Sequence, residues 1–119
     1  MQRIMLKAKI HNAVVTQADK EYEGSVSVDE DLLDEAGLVP YEQVHVYNIT
    51  NGERFVTYLI KAERGSGMIG INGAAVHKAN VGDRVILAVF GLMNDEETDF
   101  CIPRILIMDT DNRIKKMTA

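Results

Sequence analysis

Ile4, Leu6, Ala8 and Ile10 alternate with Met5, Lys7, Lys9 and His11. This period of two predicts a strand with one buried face and Lys9 on the other. After Ser25 a short strand leads into a helix. Asp29 is suited to cap that helix before Leu32, Leu33 and Ala36, Gly37 to end it, and Pro40 to block its resumption. Residues 44–50 and 53–62 are strand-like runs around Asn51-Gly52, a dipeptide that tolerates the positive φ angles of a hairpin turn. Residues 68–71 predict another short strand and 74–79 one or two helical turns. A turn follows at 81–83, then a buried strand over 84–90 and a further strand over 104–108. The polar tail, 109–119, is expected to fray or to pack at the periphery. Many short strands with only small helices predict a closed β-barrel in place of a layered α/β sheet. Periodicity alone does not choose among barrels.

Composition narrows the function classes. The 119 residues predict a single domain, 1–119, with 46% hydrophobic and 26% charged residues, as in soluble globular proteins. A net charge of −5 without a basic stripe argues against nucleic acid as a partner. The longest apolar run, 85–90 with Leu92 and Met93 beyond it, falls short of the ~20 residues a membrane helix needs. Lys7 and Lys9 interrupt any signal-peptide core. The single Cys101 cannot close an internal disulfide, so a reducing cytoplasm is the expected location, and Phe100 and Ile102 beside it suggest a packing role. His11, His45 and His77 lack metal-ligand spacing, so no metal site is expected. The clusters Asp29-Glu30-Asp31 and Asp95-Glu96-Glu97 read as solvated charges at a helix start and in a loop.

The dipeptide with the most reactive chemistry is Gly24-Ser25. A serine hydroxyl can attack the carbonyl just before it, and glycine gives the backbone the freedom that attack requires. The resulting ester can eliminate to dehydroalanine, which hydrolyses to a pyruvoyl group capping the new chain. Gly-Ser is also an ordinary turn dipeptide, and a second copy stands at Gly65-Ser66. Nothing in the composition of either copy decides which one reacts.

Five segments decide it together: YEGS from Tyr22, TNGERFVTY from Thr50, AERGSG from Ala62, INGAA from Ile71 and VGDRVI from Val81. In this order and spacing they resemble the aspartate 1-decarboxylase family over nearly the whole chain. The resemblance implies a mainly β fold, a six-stranded double-psi β-barrel with short flanking helices, assembled as a homotetramer with sites between subunits. It implies self-cleavage at Gly24-Ser25 into fragments 1–24 and 25–119, with Ser25 becoming a pyruvoyl group. That carbonyl would form a Schiff base with the amine of L-aspartate and act as electron sink, so neither pyridoxal phosphate nor a metal is implied. The products would be β-alanine, a pantothenate precursor, and carbon dioxide. Cleavage by the chain alone and cleavage aided by a separate maturation factor both stay open.

The same resemblance distributes roles. Thr57 would donate to the Gly24 oxygen during cleavage and bind substrate, and Tyr58 would be the catalytic proton donor. His11 and Tyr22 are further candidate proton carriers. Arg54 suits a carboxylate clamp through its planar guanidinium, and gripping the retained side-chain carboxylate would leave the departing one free. Lys9 would add charge at that pocket or, equally, be a solvated strand lysine. Asn72, Gly73, Ala74 and Ala75 resemble the substrate-binding loop, with Asn72 as its polar side chain. One conflict arises from strand alternation, which puts Thr57 and Tyr58 on opposite faces. Either a bulge lies there or the two serve different sites across a subunit boundary. The rival reading is a β-barrel binding or assembly module that never cleaves itself.

Overall fold

The computed structural model describes residues 1–22 and 24–118. Glu23 of the Tyr22–Ser25 motif and Ala119 of the tail lie outside the described residues. The strands are β1 (Gln2–Val14), β2 (Gln17–Asp19), β3 (Ser25–Asp29), β4 (Gln43–Asn48), β5 (Arg54–Ala62), β6 (Ile69–Asn72), β7 (Arg84–Asn94), β8 (Arg104–Met108) and β9 (Ile114–Thr118). Short helices interrupt them: α1 (Glu30–Ala36), a 3-10 turn (Gly73–His77) and α2 (Asp95–Thr98). None is long and apolar enough to cross a membrane among the described residues.

The strands hydrogen-bond in the order β2-β6-β3-β5-β4-β7-β1-β8-β9. Only Val15 and Thr16 separate β1 from β2, and both are held into the sheet: Val15 N donates to the Asp83 carbonyl at 2.9 Å, Thr16 N to that of Ile69 at 2.8 Å. One continuous segment therefore pairs with β7 at its start and β6 at its end, which brings the sheet round on itself. Counting β1–β2 as one wall, with β6, β3, β5, β4 and β7, the barrel has six walls, and β8 and β9 form an appended hairpin. The expected mainly β class with small flanking helices is the class observed, with nine strands in the sheet among the described residues where six were expected.

Alternation governs which side chains fill the barrel. Ala8, Ile10 and Ala13 of β1 are fully buried with Val26, Val28, Val44, Val46, Leu59, Ile69 and Ile71. Ile4 departs from the expected buried row and is 74% exposed. A register shift between Leu6 and Ala8 sets the start of β1 out of phase with the core, and there it pairs with the far end of β7, Ile4 opposite Leu92. β7 runs past the expected 84–90 to Asn94, where a capping box with Glu97 starts α2. The acidic residues 95–97, read as loop charges, are thus the first turn of that helix. The hairpin expected at Asn51-Gly52 is present, but its connection is longer, 49–53. Asn48 Oδ1 accepts from Thr50 N at 2.9 Å and Gly52 takes φ 80°. The tail packs peripherally as β9 against β8 and does not fray, and every β9 residue is exposed.

Two buried polar side chains tie the loops to the barrel. Asp29, expected to be solvated, is only 1% exposed. It caps α1 by accepting from Asp31 N at 2.9 Å and also accepts from Gly65 N at 3.0 Å and Gly67 N at 2.9 Å. Asn112, in the left-handed region at φ 56°, donates through Nδ2 to the carbonyls of Val14 (2.8 Å) and Gly67 (2.9 Å), and its Oδ1 accepts from Val14 N (2.8 Å). It clips the β8–β9 turn to the end of β1. Replacing Asp29 with Ala strands three backbone donors. We expect a loss of about 3 kcal/mol, with Asp29→Asn intermediate, measurable by urea unfolding. A loss below about 1 kcal/mol would show that water reaches those donors.

Candidate active site

Ser25 opens β3 at the barrel mouth, directly opposite Asn72 at the end of β6. The antiparallel pairing points both side chains to one side, and both are buried. Asn72 Nδ2 donates to Ser25 Oγ at 3.0 Å and to Ser27 Oγ at 2.9 Å. A buried hydroxyl is thereby held in one orientation by a neighbour that is itself fixed by the ladder.

The residue after Asn72 has to be glycine. Gly73 adopts φ 71°, and a Cβ there would lie 2.7 Å from both the Cα and the N of Gly24 and 3.0 Å from the Tyr22 carbonyl oxygen. These are main-chain atoms that cannot swing aside, so the missing side chain is what lets the 73–77 turn press against the main chain of Tyr22 and Gly24. Gly24 itself has open space beside it.

That space belongs to a cavity of about 300 Å³ lined by Gly24, Phe55, Val56, Thr57, Ala74, Ala75 and Lys78. It unites Gly24, Thr57, Ala74 and Ala75, with Asn72 and Gly73 adjoining. β3 runs parallel to β5 with Val26 opposite Leu59, and one to two residues earlier the same register sets Gly24 alongside Thr57. The second Gly-Ser peptide is in a different setting. Ser66 is exposed in a turn, and its Oγ accepts from Met68 N at 3.2 Å.

The remaining candidates stand elsewhere. The β4–β5 ladder is unbroken from Gln43 opposite Tyr58 to Tyr47 opposite Arg54, so the bulge considered for residues 57 and 58 is absent. Phe55, Thr57 and Leu59 face the barrel interior, and Arg54, Val56 and Tyr58 face outward. Lys9 lies in register with Ala88, His45 and Val56 across four strands, which puts it on that same outer face. Tyr58 is half-buried with its ring centre 6.3 Å from that of Tyr41, and the Arg54 guanidinium lies 4.4 Å from the centre of the Tyr47 ring. The predicted residues thus form two groups: Gly24, Ser25, Thr57 and 72–75 around the cavity, and Lys9, Arg54 and Tyr58 on the outside of the wall.

His11 stands two residues from Lys9 on β1. Burial, with Lys9 and Arg84 nearby, lowers its pKa, and its Nδ1 is a buried nitrogen without a partner. Tyr22 contributes its main-chain oxygen beside Gly73, and its side chain is largely exposed. No group of three or more His, Cys, Asp or Glu converges among the described residues. Sequence reasoning missed Lys78 and Phe55 of the cavity, Tyr47 beneath Arg54, and Tyr41, which takes φ 75°. Only the aromatic at 47, directly cross-strand from Arg54, had a usable signal, because the hairpin register implied the pairing.

The family described as aspartate decarboxylase matches residues 1–115. The aspartate 1-decarboxylase of Bordetella avium is 53% identical over 98% of this chain and 96% of its own length. That of Ralstonia nicotianae is 53% identical over 100% and 99%, and that of Thioalkalivibrio sulfidiphilus 56% over 92% and 87%. The chain belongs to the aspartate decarboxylase family, and it is an enzyme.

Gly73→Ala forces a Cβ into main-chain atoms at a positive φ. We expect it to destabilise by about 2 kcal/mol and to speed amide exchange across residues 24–27, with β8 and β9 unchanged. Exchange equal to wild type there would show that the Gly24 backbone does not rest on Gly73.

Proposed function

We propose that the chain cuts itself between Gly24 and Ser25, leaving fragments 1–24 and 25–119, and then decarboxylates L-aspartate to β-alanine and carbon dioxide. The observation that carries this reading is the buried Ser25 hydroxyl, held at 3.0 Å by Asn72 with Gly73 pressed against Gly24. In the cleavage, Ser25 Oγ bonds to the Gly24 carbonyl carbon as the peptide C–N bond breaks, giving an ester and a free amine. Loss of the Gly24 carboxylate leaves dehydroalanine at position 25, and water then releases ammonia to give a pyruvoyl group. Thr57, across the cavity from Gly24, supplies a hydroxyl to the developing oxyanion. The exposed Gly65-Ser66 turn offers no comparable enclosure.

The residues present suit that group. The oxygen that Asn72 Nδ2 now holds would leave with the Gly24 carboxylate, and the ketone would form at the former α-carbon of residue 25, with the Asn72 amide left nearby as a donor. Once formed, the ketone supplies an electrophile for the substrate amine and an acceptor for the electrons that carbon dioxide leaves behind. Arg54 binds the retained carboxylate through its guanidinium edge, Lys9 adds positive charge, and Tyr58 delivers the proton to the former α-carbon. Ala74 and Ala75, small and following the left-handed Gly73, leave room for substrate against the main chain.

Because Thr57 and Tyr58 face opposite ways, one chain does not complete the site by itself. The reading therefore places the cavity of one subunit against the outer face of a neighbour, within a homotetramer. Exposed apolar side chains on and beside that face, Val56, Tyr41 and Val39, favour burial in such an interface. β-Alanine formed in the cytoplasm would serve pantothenate synthesis.

Ser25→Ala is expected to fold, to remain one uncleaved chain by intact-mass spectrometry, and to be inactive. Scission after Gly24 in that variant would remove Ser25 from its role. Tyr58→Phe should cleave normally but turn over at least about a hundredfold more slowly, and near-wild-type turnover would transfer protonation to another donor.

A further inference from the structure

Arg54 and Tyr47 sit directly opposite each other in the β4–β5 ladder, and the guanidinium carbon lies 4.4 Å from the ring centre. Other cations of this chain find carboxylates: Arg3 pairs with Asp95, Lys7 with Glu42, and Arg64 with Glu30, Asp31 and Asp34. Glu53, the acidic neighbour of Arg54, is directed to Lys78 at 3.4 Å. Among the described residues, Arg54 has no carboxylate partner and no hydrogen bond. What holds it is the face of an aromatic ring.

The ring is itself supported. His45, two residues earlier on the same face of β4, meets Tyr47 edge-on at 6.1 Å and 63°. Phe90 of β7 meets His45 edge-on at 5.0 Å and 73°. Phe90, His45, Tyr47 and Arg54 thus form a ladder across three adjacent strands, with a cation at its open end. Tyr47 and Arg54 also border a cavity of about 280 Å³ with Ile86.

We propose that Tyr47 is the positioning residue for Arg54, holding the guanidinium over its ring so that N–H donors stay available to the substrate carboxylate. The proposal rests on the assignment of Arg54 as the carboxylate clamp. A cation held over a ring face spends no N–H donor on a carboxylate of the chain, so the contact restrains the side chain without competing with the ligand. An arginine restrained before binding loses less freedom when the carboxylate arrives. Acting through Arg54, the ring would change affinity and not the chemical step.

The test uses the mature wild-type protein and the variants Tyr47→Leu, Tyr47→Phe and Arg54→Ala. Succinate is titrated calorimetrically, because it carries carboxylates and no amine to react, and steady-state kinetics with aspartate are run alongside. Tyr47→Leu should weaken succinate about three- to tenfold and raise KM by a similar factor, with kcat within about twofold of wild type. Tyr47→Phe, which keeps the face, should behave like wild type in both assays. If Tyr47→Leu does not fold, Tyr47→Thr carries the same expectation. Unchanged succinate affinity in Tyr47→Leu beside a clear loss in Arg54→Ala overturns the positioning role and leaves the clamp standing. Unchanged affinity in Arg54→Ala, or no succinate binding by wild type, removes the clamp and the proposal with it. A Tyr47→Phe loss equal to that of Tyr47→Leu, or a Tyr47→Leu defect confined to kcat, also overturns it.

Discussion

The Asn72 amide reaching from β6 to the Ser25 hydroxyl is the contact around which the rest of the site is arranged. It needs β3 and β6 antiparallel in one register, with Ser25 opposite Asn72. A slip of one residue would turn both side chains to the other face. The register is held from both sides, because β3 also pairs in parallel with β5 and β6 also pairs with β2. Closure of the barrel by the β1–β2 segment keeps β6 from becoming a free edge. Gly73 then lets the chain leave β6 while touching the Gly24 backbone.

β5 is a partition as well as a wall. Its inner row, Phe55, Thr57 and Leu59, looks toward the core and its outer row, Arg54, Val56 and Tyr58, looks away, while Phe55, Val56 and Thr57 together border the Gly24 cavity. A regular strand imposes this separation geometrically, whatever the individual side chains would favour. Residues adjacent in sequence are thereby sent to different environments. Thr57 and Tyr58 of one chain therefore do not share a face, and the outward row carries the Arg54 guanidinium over the Tyr47 ring beside the exposed Val56.

The loops owe their order to a few buried polar side chains. Asp29 and Asn112 each satisfy donors or acceptors from distant segments, and between them they fix α1, the 65–67 turn and the β8–β9 turn. Gly65-Ser66 lies in one of these anchored turns, exposed to solvent, while Ser25 is buried at a strand start directly after an exposed Gly24. Two identical dipeptides therefore stand in different surroundings, one in a turn with Gly65 at φ 75° and one leading into a strand.

Much of this molecule was legible along the chain. Alternation located the strand walls, Asp29 and Gly37 bounded α1 as expected, and Asn51-Gly52 marked the central hairpin, because these signals depend on neighbours within a few residues. Ile4, the buried state of Asp29 and the ninth strand were not legible. A bulge, a burial and a strand edge are each decided by partners far away in sequence. The site divides the same way. Its residue types, with a hydroxyl after glycine, an arginine and a tyrosine on one strand and an Asn-Gly turn, are written in the chain. Which of them meet depended on strand register and barrel closure. Thr57 joins Gly24 and parts from Tyr58 because direction in a sheet is a property of pairing, and no single segment carries it.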